Sequence, residues 1–323
     1  MQLDKDKGIA LIIFALILAL VATSFLFLQL DGSGVKIERE KKTAAVLLEA
    51  KNAILGWSIS QMKPGLLPCP EDTTLINTVN EGTALATCIS PIPVVGTLPW
   101  KTLGLGDLRD GNGDRLWYAL STGFSDATLP INSTTIGNIN LNGTPNAAIA
   151  IIFSPGIALA GQNRTTPTSL SPPVITDYLD LTNNDGDITF INNGPASTFN
   201  DNLILVTQSD LFNLVARRIL REVRGDATQG LVSFYNANSF YPFADISSPV
   251  DGNADLGEFG VSPIGHPSYS GTSNTDSSNI FFKTPVKDML VNNNWPSLIN
   301  YRFKLNSNQS VTMTLNGQKL DLP

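Results

Sequence analysis

The chain opens MQLDKDKGIALIIFALILALVATSFLFLQLDG (residues 1–32), and the reading of this stretch decides the fold. Residues 9–30 contain no charge. A helix rises about 1.5 Å per residue, so roughly 20 residues cross the roughly 30 Å hydrocarbon core of a bilayer and this run is long enough. A secretory signal has an apolar region of about 7–15 residues followed by a small-residue cleavage site. Here the run continues through Phe25, Leu26, Phe27 and Leu28, past its small cluster Ala22, Thr23 and Ser24. It reads as a retained span. Lys5 and Lys7 are offset by Asp4 and Asp6, while Lys36, Arg39, Lys41 and Lys42 follow the run, so charge counting leaves its orientation open.

Moving outward, DGSG (residues 31–34) reads as a flexible or kinked joint, after which EREKKTAAVLLEAKNAILGW (residues 38–57) restarts a helix. Leu47, Ala50, Ile54 and Trp57 recur at helical spacing with Leu48 and Leu55 beside them. Pro64 and Gly65 end that helix. Short apolar runs among Gly, Pro, Asn and Thr follow. AAIAIIF (residues 147–153) reads as a fully buried strand and NLILV (residues 202–206) as a second, in an antiparallel or mixed sheet. Residues 162–200 are loop-rich.

A second helix starts at TQSDLFNLVARRILREV (residues 207–223), where Thr207 and Asp210 have capping-box spacing. Phe212, Val215, Ile219 and Val223 form its apolar stripe. Arg217, Arg221 and Arg224 line the opposite face, either as a solvated surface or as a contact for an acidic partner. Gly56 and Gly230 each precede a proline, Pro68 and Pro242, by the same interval, and RLWYAL and WPSLINYRF follow in matching order. The order suggests two copies of one helix-then-sheet unit.

Charged residues are 15% of the chain, against about 25% for typical soluble domains, and Asn, Ser, Thr and Gly supply the polarity. That is the surface of an exported protein. The net charge of −7 argues against a generic nucleic-acid binder, because phosphate affinity needs clustered Lys and Arg. Of the two cysteines, Cys69 and Cys88, the plain reading is a disulfide in an oxidising compartment. A free catalytic thiol is the other reading, without a nearby histidine as base.

Lys7-Gly8 followed by IALIIFALILAL resembles the leader of type IV pilins and type II secretion pseudopilins, and KTAAVLLEAKNAILGW, LLPCPED, GTLPWKTLGLGD, RLWYAL and SPGIALAGQNR resemble successive blocks of bacterial minor pilins. The resemblance implies cleavage after Gly8 by a prepilin peptidase, methylation of Ile9 as the mature N-terminus, and a cytoplasmic leader. Pilins usually carry Glu five residues into the mature chain, where this sequence has Ile13. A buried ammonium without that carboxylate is costly in lipid, which suits a minor, fibre-end subunit. The implied fold is α+β: a leader (residues 1–8), a transmembrane half-helix (9–30) and a periplasmic amphipathic helix (31–60) packed on a small antiparallel sheet in a first unit (61–206). A second helix-plus-sheet pilin-like unit (207–323) follows. The implied function is non-enzymatic assembly into a pilus or pseudopilus from the bacterial inner membrane, with other pilins and an assembly platform as partners. An adhesin or DNA-binding tip module is the alternative.

No zinc pair, nucleophile elbow or P-loop is present in the sequence, and the single histidine, His266, reads as a loop residue. GLGDLRDG (residues 104–111) has Arg109 where a dinucleotide fingerprint needs its third glycine. Three acidic loops, Asp110/Asn112/Asp114, Asp251/Asn253/Asp255 and Asn183/Asp185/Asp187, alternate oxygen side chains as Ca²⁺ sites do, but none has the EF-hand glycine or closing glutamate. Turn chemistry is the simpler account of all three.

Overall fold

Helix α1 runs from Leu3 to Ser60 without a break, about 87 Å at the standard rise. The computed structural model describes residues 3–88, 94–125, 128–246, 264–269, 279–303 and 310–323; in α1 it describes side chains at 15–21 and from 34 onward. The expected joint at residues 31–34 is helical. Two glycines cost about 1 kcal/mol each in a helix interior, too little to interrupt one already propagating from both sides. From Thr43 on, Val46, Leu47, Ala50, Ile54, Leu55 and Ser58 are buried at three- and four-residue spacing, which turns one stripe of the helix into the core. The helix ends at Ser60, and the turn that follows passes through Gly65, whose φ is +107°.

The remaining elements, in chain order, are β1 (Val94–Thr97), β2 (Trp117–Leu120), β3 (Ile139–Leu141), β4 (Thr144–Ala148), β5 (Ala150–Ser154), β6 (Thr189–Phe190), β7 (Asn202–Val206), α2 (Gln208–Arg224), α3 (Gly230–Asn238), β8 (Ala244–Asp245), β9 (Ile264–Pro267), α4 (Thr284–Asn292), β10 (Asn300–Phe303), β11 (Val311–Leu315) and β12 (Gln318–Leu322). They form three sheets: β1-β2-β5-β7, β4-β3-β6 and β12-β11-β10-β9-β8. The first is antiparallel throughout. In the second, β3 pairs with β6 in parallel.

The apolar run 147–153, expected as one strand, is split between the end of β4 at Ala148 and β5, which begins at Ala150, and every residue of β5 is buried. Ala150 and Ile152 face the core shared with α1 and α2, while Ile151 and Phe153 face a second cluster with Tyr178, Leu179 and Phe190. A strand covered on both faces has no polar side to show. Helix α2 is likewise buried on more than the predicted stripe, because Leu211, Ala216 and Leu220 join Phe212, Val215, Ile219 and Val223. One side of α2 meets α1 and another meets β11 and β12. Its N-terminus carries the expected capping box between Thr207 and Asp210.

This architecture corrects the fold expected from the sequence. Among the described residues no helix is long and apolar enough to cross a membrane; the described side chains of the apolar run, at 15–21, cover only about 10 Å of helix, and the helix beyond residue 34 carries charges. The single small sheet per unit is replaced by three sheets, one with a parallel pair. The second unit has no core of its own, since one continuous core includes Val46 of α1, Tyr118 of β2, Ile219 of α2 and Met313 of β11. The two-sided burial of α2 is the physical reason: each apolar side needs a cover, and the flanking elements come from both halves of the chain. His266, expected in a loop, lies in β9 with Nδ1 3.0 Å from the Ile299 carbonyl oxygen.

Candidate functional site

Two features of the molecule offer surfaces for function: the socket that grips α1, and a polar cleft beside β2. The socket is built from polar contacts around the apolar stripe. Lys51 Nζ lies 2.8 Å from Asp210 Oδ2, which also accepts from the backbone N–H of Thr207, so one carboxylate caps α2 and ties it to α1. Burial pushes the Asp210 carboxyl up, but Lys51 and Thr207 outweigh it and hold the group below the usual carboxylate range. At the other end, Arg218 donates to the carbonyls of Ile59 and, at 2.6 Å, of Gln61. A guanidinium at the C-terminal end of a helix satisfies orphan carbonyls and complements the dipole.

The acidic loop at 110–114 belongs to this socket. Asp110 Oδ1 accepts from the N–H groups of Asn112 (2.8 Å) and Asp114 (3.0 Å), and Oδ2 accepts from Ser154 Oγ (2.6 Å). Asp110 is fully buried, and its oxygens fold the turn. Gly111 N–H donates to Thr43 Oγ1 at 3.0 Å, and a Cβ on Gly111 would stand 2.1 Å from the Arg39 carbonyl oxygen. The glycine is there because the backbone of α1 passes against it. Among the described residues no group of three or more His, Cys, Asp or Glu side chains is placed to hold a metal ion. Asp251, Asn253 and Asp255 lie outside the described residues, as do the surroundings of Gly8 and the side chain of Ile9.

Arg217, Arg221 and Arg224 are exposed on α2, and Arg217 Nε donates to Gln318 on β12 at 2.8 Å. Cys69 and Cys88 form a disulfide with Cα atoms 5.7 Å apart. The loop it closes contains Glu71, buried with its oxygens accepting from Gly82 N–H (2.8 Å) and Thr97 Oγ1 (2.6 Å). Burial raises the Glu71 carboxyl in spite of those bonds and of Arg115 nearby.

The cleft, about 210 Å³, opens beside that loop. Arg109 and Arg115 are paired across an isolated antiparallel bridge, so their side chains leave the same face. Asp107 lies between them, 2.7 Å from Arg109 Nη2 and 3.0 Å from Arg115 Nε. Arg115 also pairs with Glu81. Burial would lower the Arg115 guanidinium, but Glu81 and Asp107 keep it charged. On the far side Arg164 reaches Asp114 at 2.6 Å and lies over the Tyr178 ring, 5.1 Å from its centre. Tyr178 packs against Trp117 with ring centres 5.3 Å apart, and burial followed by the Asp114 charge raises its phenol. Arg115, Arg164 and Tyr178 carry no motif in the sequence. RLWYAL contains Arg115 and SPGIALAGQNR contains Arg164, and neither indicates that the two arginines come together around Tyr178.

No protein-family model, curated protein or solved structure matches this chain. The functional reading therefore stands on its residues and geometry.

Proposed function

We propose that the chain is a non-enzymatic pilin-like subunit, assembled through the N-terminal part of α1 into an exported fibre as a minor, fibre-end component. The observation that carries this reading is the exposure of Leu16, Ile17, Leu18 and Val21, each between 54% and 64% accessible on a helix whose other end is locked into the core. Successive residues step about 100° around a helix, so these side chains point in several directions at once. A helix apolar on all sides requires cover on all sides, which one flat surface does not provide but a bundle of similar helices does. Residues 34–42 are also exposed, which leaves a polar length of helix between the apolar run and the socket.

The disulfide supports an oxidising compartment, as in a bacterial envelope. Before assembly, the protein would be held at the inner membrane with its C-terminal part periplasmic. The partners proposed are other pilins, a prepilin peptidase acting after Gly8 and an inner-membrane assembly platform. N-terminal mass spectrometry of the protein extracted from membranes tests the reading: a methylated Ile9 start is expected, and an intact Met1 overturns it.

A further inference from the structure

We propose that the cleft between β2, the 109–115 hairpin and the loop at 164–178 binds one neutral sugar ring, as a monosaccharide or as one residue of a glycan. This goes beyond fibre assembly and does not depend on it, since no cleft residue belongs to α1.

Charge balance comes first. The ionised side chains lining the cleft are Glu81, Asp114, Arg109 and Arg115, two of each sign. Each is already paired: Arg115 with Glu81 and Asp107, Arg109 with Asp107, Asp114 with Arg164. An anionic ligand would meet Glu81 and Asp114, and a cationic one would meet both arginines. A neutral ligand meets no uncompensated charge.

Hydrogen-bonding capacity then separates polar from apolar ligands. Arg115 directs Nε and Nη2 to carboxylates, while Nη1 is 3.8 Å from Glu71, beyond hydrogen-bond reach. Asp114 uses Oδ2 for Arg164. Thr166, an exposed residue of the lining, adds a hydroxyl, and Asn77, whose Nδ2 donates to the Pro167 carbonyl at 3.5 Å, adds an amide. Donors and acceptors are therefore interleaved, the pattern that hydroxyl groups satisfy because each can both donate and accept. An apolar ligand would leave the hydrogen-bonding capacity that these pairs do not use without partners, at the cost of its desolvation.

The remaining walls are Thr97, Pro167, Pro173 and the buried Trp117 and Tyr178, whose rings pack on each other and, at Tyr178, under Arg164. The half-buried proline rings give rigid apolar surfaces for the C–H faces of a ring. The volume of about 210 Å³ is below the roughly 300 Å³ at which drug-sized sites begin, so the cleft takes one ring at a time.

Titration of the full chain in detergent with glucose, galactose, mannose and N-acetylglucosamine, followed by saturation-transfer NMR, tests the assignment. At least one of these sugars is expected to saturate with a millimolar dissociation constant, the range for a ligand of about a dozen non-hydrogen atoms. Thr166→Trp, at an exposed position, fills the cleft and is expected to weaken that binding at least tenfold, with an unchanged melting temperature showing that the fold is retained. The assignment is overturned if none of the four saturates, if Thr166→Trp binds as the wild type does, or if inorganic phosphate or free glutamate saturates the cleft in their place.

Discussion

Asp201→Asn is expected to stabilise the protein, and to do so more strongly as pH rises. Asp201 is 3% exposed. Its Oδ2 accepts from Asn183 Nδ2 at 2.8 Å and from the Asp180 N–H at 3.0 Å, while Oδ1 has no partner. Burial, reinforced by the neighbouring Asp180 charge, pushes its pKa up from 3.8 to about 7 in spite of those bonds. A carboxyl raised on folding contributes stability that is complete below its unfolded pKa and is lost as pH climbs through its folded pKa. The window here runs from 3.8 to about 7. Linkage over this span amounts to about 4 kcal/mol in total, of which about 2.5 kcal/mol is lost between pH 5 and pH 8. Asparagine keeps an acceptor for Asn183 and Asp180 but carries no charge, so its stability lacks this slope. Urea unfolding of both proteins at pH 5 and pH 8 measures it, because titration of every other group cancels in the difference. An advantage of Asp201→Asn that changes by less than about 0.5 kcal/mol over that range would refute the reasoning, since a carboxylate comfortably ionised in the fold has no such dependence.

Arg218→Ala removes two bonds to the end of α1 and is expected to cost about 1–3 kcal/mol in chemical denaturation, with faster amide exchange in the last turn of that helix. Gly111→Ala places a methyl against the Arg39 carbonyl and should cost about 1–3 kcal/mol by moving the turn off Thr43, visible as increased exchange at residues 39–43. Replacing Cys69 and Cys88 together by serine is expected to lower stability by about 3 kcal/mol at a loop of this size, read as a shift in the urea midpoint. Millimolar Ca²⁺ or a chelator should leave the melting temperature unchanged, because Asp110 spends its oxygens on its own turn and on Ser154; a rise of several degrees with Ca²⁺ would reassign an acidic loop to metal binding.

Elements governed by local periodicity were legible in the sequence. The stripe from Leu47 to Ile54, the capping box of Thr207 and Asp210, and β7 at residues 202–206 each follow from spacing within one segment. Where a side chain answers to a distant element, the sequence was silent. The apolar stripe of α2 was visible at Phe212 and Val215, but Leu211 and Leu220 are buried because the chain returns later to cover them. DGSG at residues 31–34 reads as a break only if turn residues are weighed without the helix on either side. The cleft was the least legible feature, since Glu81, Arg115 and Tyr178 are far apart in the chain and meet through loops whose paths no periodicity records. Even the glycine of the 110–114 turn, read as loop chemistry, is required by the passage of α1.

The loop closed by Cys69 and Cys88 contains Asn77 and Glu81, which form one wall of the cleft. The disulfide closes the base of that wall, and backbone bonds from Asp72 N–H to the Thr83 carbonyl and from Leu85 N–H to the Pro70 carbonyl span the same loop, so Glu81 meets Arg115 from a segment tied at three points.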